Sequence, residues 1–473
     1  MTDQELAFTP AWRLRELIAS RKVSPVELTE LFLARIQQLD PGLNAYLTVA
    51  AEQALASARR AEAEVKPGAN LGPLHGIPVA IKDLTSTGGI RTTRGSLIYK
   101  DFVPDVDEPV VARIRSAGAV ILGKTNTPEF GFSATTENLL GDACRNPWNP
   151  ERTPGGSSGG AGAAVAAGLA PTAQGSDGGG SIRIPCSMCG VYGIKPTFGR
   201  VARPYQGPGA WGPLAQNGPI TRTVLDAAIL LQVMAGHDPL DPTSIKEDPP
   251  DFSAVMNAGV RGLRVGWNPD LGGVPVDPEV RRVTAKAVQA FEELGAHVVE
   301  AEIPIDHLRL RDVFMTIFLS DYAASFGELL RTRGNEMSPF LREMLLDAVM
   351  WPASKLALAL HELEWHRARM NTVMEQYDLL LTPTLATPPF PVGQRPSVID
   401  GQDVDPVWAF TPFCFPFNLT GQPAASLPCG FSSEGLPIGL HLIGRLGDEA
   451  TVLRASAAFE QARPWAQRRP VVS

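Results

Sequence analysis

The chain is short of the residue that most often activates a serine. It has seven histidines in 473 residues, and none in TPGGSSGGAGAAVAAGLAPTAQGSDGGGSIRIP at 153–185, which holds two glycine-ringed serine clusters. Cysteine is sparse as well: five, an odd number, in apolar settings such as TPFCFPF and SLPCGF. That excludes a disulfide framework and points to reduced thiols in the cytoplasm. Cys186 and Cys189 form a CxxC. Without a second CxxC or partner histidines they read as buried packing residues and not as a zinc or redox site. Basic residues do not outnumber acidic ones, 42 against 50 for a net charge of −8, so no basic tract offers counterion release and nucleic acid is excluded as a partner. No run approaches the roughly 20 apolar residues of a membrane span. The start, MTDQELAFTPAWRLRELIAS, lacks the basic, apolar and small-residue regions of a secretory signal.

What is present reads as an enzyme of regular α/β texture, with 44% hydrophobic and 19% charged residues. Ser24-Pro25-Val26-Glu27 is a capping box with proline at the first helical position, opening VELTELFLARIQQL. A second helix follows in AAEQALASARRAEAEV. GIPVAIKDL is a short apolar strand, and DEPVVARIRSAG then AVILGKTN is a helix stopped by Gly118 and a buried strand. Residues 125–220 are rich in Gly, Ser, Pro and Asn between apolar strands, the texture of a functional loop system. Beyond it, Thr223 opens the helix TVLDAAILLQVMA, and LRVGW, VDPEVRRVTAKAVQAFEELG and AHVVEAEIP read as strand, helix, strand. A mostly helical insertion spans about 308–377, after which DLLLTPTL, PAASLPCGF and PIGLHLIG resume the sheet before a last helix.

The serine clusters admit several chemistries. Gly156-Ser157-Ser158-Gly159-Gly160 matches the G-x-S-x-G nucleophile elbow, but its approach CRNPWNPERTP, with three prolines, cannot be the central strand an elbow needs. His441 in IGLHLIG reads as a strand residue and not as a triad base. A phosphate-cradling loop would want the lysine or the G-x-G-x-x-G spacing that neither cluster supplies. The bland alternative is flexible turns. A further reading seeks a base elsewhere, because a desolvated lysine can activate serine. Lys82 ends the apolar run IPVAI, yet Lys124 and Lys195 stand in similar contexts, so composition does not choose among them.

GIPVAIKDL, LGKTNTPEFG, NPWNPERTPGGSSGGAGAAVAAGLAP, GSDGGGSIRIPCSMCGVYGIKPTFGRV, YDLLLTPT and FNLTGQPAASLPCGF…GLPIGLHLIGR resemble, in this order, the blocks of the amidase signature family. The resemblance covers nearly the whole chain and is weakest from about 240 to 370. It implies one large α/β domain over 1–473, with a mixed, mostly parallel central sheet covered by helices on both faces. Its core signature region lies at about 70–220 and a variable, mostly helical specificity region at about 240–410.

The resemblance also implies a Ser, cis-Ser, Lys triad: Lys82 as base, Ser157 as bridge after a cis peptide bond from Gly156, and Ser181 as nucleophile. Ser158, which G-x-S-x-G would have chosen, is then a supporting residue. The N–H groups of Gly178, Gly179, Gly180 and Ser181 would form the oxyanion loop. Many members carry a bulkier residue where this chain has Gly178. Asp177 and Arg183 would brace the loop as an ion pair, and Gly131 with Phe132 in EFGFS would adjoin the acyl pocket. The implied activity is hydrolysis of a small-molecule or oligomeric carboxamide with neither metal nor cofactor. The alternatives are the glutamine-hydrolysing component of a tRNA-dependent amidotransferase, or a binding protein with a dead site. No nucleic-acid or membrane partner is expected, and at most a second copy of the chain in a homodimer.

Overall fold

Local signals set the first elements. Ser24 Oγ accepts from the N–H groups of Val26 and Glu27, and Glu27 accepts from Ser24 N–H, closing the box at the head of helix Pro25–Leu39. Thr223 Oγ1 accepts from Asp226 N–H at the head of helix Val224–Met234. The structure is a computed structural model that describes residues 1–204 and 212–473; residues 205–211, inside the loop-rich stretch, lie outside the described residues.

The strands are β1 (Tyr46–Val49), β2 (Pro78–Lys82), β3 (Val120–Thr125), β4 (Thr172–Asp177), β5 (Tyr192–Lys195), β6 (Gln216–Thr221), β7 (Arg264–Trp267), β8 (His297–Glu300), β9 (Leu379–Pro383), β10 (Val398–Ile399), β11 (Gln402–Asp403), β12 (Ala424–Phe431) and β13 (Pro437–Gly444). Eleven of them form one sheet in the order β1-β3-β2-β4-β6-β5-β12-β13-β9-β7-β8, while β10 and β11 pair apart. Every residue of β2, β3, β4, β5, β6, β9 and β13 is buried, so these strands are covered on both faces, as their unbroken apolar texture requires.

The sheet is mixed, but the balance of directions differs from the mostly parallel one expected. Six of its ten neighbour pairings are antiparallel. Parallel pairing is confined to the flanks, β3-β2-β4 on one side and β9-β7-β8 on the other. Connectivity explains this: β12 and β13 are joined by residues 432–436 alone, too few for the crossover that a parallel pair needs. Helix Arg183–Cys189 links β4 to β5 in the manner of a parallel crossover, yet β6 lies between them and runs antiparallel to both.

These directions matter for the site. β2, β3, β4 and β5 end at the same edge of the sheet, which collects Lys82, Thr125, Asp177 and Lys195 there. Ligands of α/β sheets are bound beyond strand carboxyl ends.

The helical insertion comprises His307–Arg333, Pro339–Ala348 and Ala353–Gln376. Contrary to the sequence reading, the first of these is long and apolar enough to cross a membrane by length and composition. Its apolar side is core, however: Phe314, Ile317, Phe318, Tyr322 and Phe326 are buried against Phe130, Phe132, Leu341 and Leu345.

Candidate active site

Lys82 closes β2 with no exposed surface, and its Nζ lies 2.7 Å from Ser157 Oγ, donating to it, and donates to the Ser176 carbonyl at 3.3 Å. Burial pushes this amine well below the ordinary lysine value, the Asp177 charge opposes the shift and the Arg203 charge adds to it. Lys124 and Lys195 are buried too, but are tied elsewhere. Lys124 Nζ donates to the Thr85 carbonyl and to the hydroxyls of Thr87 and Thr92, with burial bringing its pKa down to about 8. Lys195 Nζ donates to the carbonyls of Pro196 and Gln422, and burial lowers it to about 7. Only geometry separates the three lysines.

The serine loop reaches Lys82 through turns and isolated bridges, without a leading strand. The Gly156–Ser157 peptide is cis. A Cβ on Gly156 would meet the Thr135 backbone at 2.6 Å, so only glycine lets the turn lie against that strand of chain. Ser158 does not contact Lys82; its N–H donates to the Ser181 carbonyl at 3.1 Å and its Oγ donates to the Ser176 carbonyl at 3.2 Å, tying one serine loop to the other. The small-residue helix Gly159–Ala166 behind them is wholly buried, and a Cβ on Gly160 would come within 2.4 Å of backbone atoms of Asn126 and Ala45.

The second loop leaves β4 at Asp177, whose carboxylate is the post around which it winds. It accepts from the N–H groups of Gly180 at 2.8 Å and Ile182 at 3.2 Å. Arg183 meets the same carboxylate bidentately through Nε and Nη2, each at 2.9 Å, with both residues fully buried. Burial alone would raise the Asp177 carboxyl, but Arg183 beside it holds it well below the usual carboxylate range. One expectation is thereby corrected: the Gly180 N–H is engaged by Asp177, so Gly180, with φ of +127°, shapes the loop and does not aim a donor outward. Ser181 is 5% exposed, more than Lys82 or Ser157, which are at 0%.

Gly131 and Phe132 do not touch this loop directly. Gly131 has φ of +78° in the turn Glu129–Gly131, and the Phe132 ring stacks on Phe318 at 5.2 Å. Phe318 stacks in turn on Phe314 at 5.5 Å, and a Cβ on Gly179 would meet Phe314 Cζ at 2.7 Å. The aromatic layer therefore runs from the Phe132 turn to the oxyanion loop through rings of the helical insertion.

Sequence reasoning missed three residues around Arg183. Its Nη1 donates to the Cys414 carbonyl at 3.0 Å and lies 3.0 Å from His441 Nε2, while its Nη2 donates to Asn418 Oδ1 at 2.6 Å. Because guanidinium has no acceptor, His441 accepts at Nε2 and carries its proton on Nδ1, facing Thr382 Oγ1 at 3.2 Å. His441 is thus a buried, neutral partner of Arg183 in β13, with its pKa driven well down by burial and by the Arg183 charge. The only hint in sequence was a polar residue ending the aromatic run FCFPFN.

A strand-end lysine facing a glycine-set serine loop defines a class, the hydrolases that activate serine without histidine. The comparisons give the family. The sequence profile of the Amidase family matches residues 27–453. The chain is 39% identical to an acylamidase of Rhodococcus erythropolis, over 100% of this chain and 99% of that protein. It is 41% identical to the glutamyl-tRNA(Gln) amidotransferase component GatA-type protein of Moorella thermoacetica, over 98% and 99% of the two chains. The crystal structure of a bacterial aryl acylamidase of the amidase signature family superposes with a TM-score of 0.91 at 34% identity, covering 97% of each chain. The chain belongs to the amidase signature family and is an amidohydrolase.

Proposed function

We propose that this chain is an amidase in which Ser181 is the nucleophile, Ser157 the bridge and Lys82 the base. The 2.7 Å approach of Lys82 Nζ to Ser157 Oγ in a fully buried setting carries the reading. A neutral Lys82 takes the proton of Ser157, which takes that of Ser181, as the Ser181 Oγ–C bond forms at the amide carbonyl. The oxyanion is received by the N–H groups of Gly178, Gly179 and Ser181. The C–N bond then breaks, the relay returns its proton to the departing amine or ammonia, and water attacks the acyl-enzyme to release carboxylate.

The substrate class follows from what leans on that loop. Phe314 packs on Gly179 and is joined by Phe318, Phe415 at 5.2 Å and Trp408 at 6.1 Å. Such a wall suits an amide with an apolar, flat arm, whose aromatic contacts favour offset or edge geometries. The R. erythropolis acylamidase and the aryl acylamidase structure are in keeping with this. The second reading, the glutamine-hydrolysing component of an amidotransferase, rests on the 41% identity to the M. thermoacetica protein. Glutamine carries two charges that an aromatic wall does not pair. The test is turnover of aryl amides by the isolated chain. Hydrolysis of glutamine only in the presence of partner proteins would replace the amidase with the amidotransferase, and no turnover of either would leave a binding protein.

A further inference from the structure

We infer that Asn418 is a positioning residue for catalysis, fixing the oxyanion loop by bonding both members of the Asp177–Arg183 pair at once. This rests on the reading of Ser181 as the nucleophile of that loop.

Asn418 lies on the short helix Pro416–Leu419 and is 1% exposed. Its Oδ1 accepts from Arg183 Nη2 at 2.6 Å. Its Nδ2 donates to Asp177 Oδ1 at 2.9 Å, to the Asp177 carbonyl at 3.0 Å and to the Leu214 carbonyl at 3.2 Å. An amide is the side chain that accepts from a guanidinium at one end and donates to a carboxylate at the other. A carboxylate would set a second negative charge against Asp177, and an aliphatic residue would orphan groups on both partners. Through Asp177 the effect reaches the loop, because that carboxylate holds the N–H groups of Gly180 and Ile182 on either side of Ser181. The residue also joins loop to substrate wall: three positions before it, Phe415 packs on the Phe314 ring that abuts Gly179.

The experiment compares Asn418→Asp with wild type on one amide substrate across pH. At about pH 8 the variant should lose on the order of 10²-fold in kcat, the scale of a displaced oxyanion donor, with KM nearly unchanged. The new carboxyl faces Asp177 of β4, Arg183 of the following helix and His441 of β13, with Lys195 at the end of β5 in the same charge cluster. Burial and Asp177 raise its protonation, while Arg183 and Lys195 oppose it. Once protonated it regains a donor toward Asp177. The ratio of variant to wild-type kcat should therefore rise about tenfold or more on going to about pH 5.5, and taking the ratio removes the titration of Lys82 common to both. Asn418→Ser, which keeps one donor and one acceptor without charge, should lose about tenfold in kcat at every pH; it serves if the Asp variant does not fold. A flat ratio across pH, a loss confined to KM, or wild-type kcat in the Ser variant overturns the inference. Undiminished turnover by Ser181→Ala would overturn the nucleophile instead, whatever Asn418 does.

Discussion

Lys82 Nζ and Ser157 Oγ face each other at 2.7 Å, and neither side chain reaches solvent. An ammonium there would lose its hydration, so burial, with the Arg203 charge behind it, favours the neutral amine that a general base must be. The acid limb of kcat/KM should report a pKa well below the ordinary lysine value of about 10.4. Lys82→Arg, which stays charged at every working pH, should lose at least about 10³-fold in kcat. A pH–rate profile unchanged in Lys82→Arg would remove Lys82 from the reaction.

The same shift makes a stability prediction. Between its lowered folded pKa and about 10.4, Lys82 is neutral in the folded chain and protonated in the unfolded one. The unfolded state binds the extra proton, so this group's contribution to stability rises with pH through that window and is least favourable at its acid end. Lys82→Met should accordingly raise Tm at about pH 7 while abolishing turnover, and the gain should shrink toward about pH 10. A gain that grows with pH would contradict the sign.

Ser157 and Ser181 are expected to act as one unit. Ser181→Ala and Ser157→Ala should each lower kcat by at least about 10³-fold, and the double variant should be little worse than Ser181→Ala alone, because residues of one relay are grossly non-additive. Ser158→Ala removes an Oγ that donates to the Ser176 carbonyl and leaves its N–H on Ser181, so it should cost much less than either. Single-turnover kinetics on one amide ranks the three. Ser158→Ala as damaging as Ser157→Ala would return the choice to the elbow reading.

The elements were legible in the sequence wherever the signal was local. The capping residues Ser24 and Thr223 are such cases, since each bonds an N–H within three residues of itself. Strand direction was less legible, because β6 enters between β4 and β5 from a later part of the chain. At the site, Lys82, Lys124 and Lys195 share one local texture, a lysine at or near the end of a buried strand. What distinguishes them is the partner of Nζ, and Ser157 is 75 positions from Lys82. Asn418 and His441 were invisible for the same reason, lying 235 and 258 positions from the Arg183 they support.

The Asp177–Arg183 pair is wholly buried, which makes breaking it far more costly than its net worth suggests. Arg183→Met should destabilise by about 3–5 kcal/mol in urea denaturation, since it leaves a buried carboxylate without its counter-charge. Asp177→Asn with Arg183→Met should cost less than the two single changes summed, as expected for residues in contact. Activity should not return with that stability, because the loop N–H groups of Gly180 and Ile182 still need the Asp177 carboxylate. A double variant that recovers kcat would show that the pair is structural support alone.

Gly179 tests where the substrate wall meets the oxyanion loop. Its φ is not in the left-handed region, so alanine is opposed there by space and not by backbone preference, with Phe314 Cζ at 2.7 Å from the added Cβ. The ring cannot swing away freely, being packed on Phe318, Phe415 and Trp408. Overpacking of this kind costs about 1–3 kcal/mol, which falls on the loop as a loss of about 5- to 150-fold in kcat. Phe314→Leu in the Gly179→Ala background should recover much of that loss, because the shorter side chain vacates the contact. Alone, Phe314→Leu should shift kcat/KM toward amides with bulkier arms, measured as a ratio between a small and a large aryl substrate. Recovery without a change in that ratio would place Phe314 against the loop but outside the substrate pocket. No recovery would mean that the damage lies in the Gly179 backbone itself.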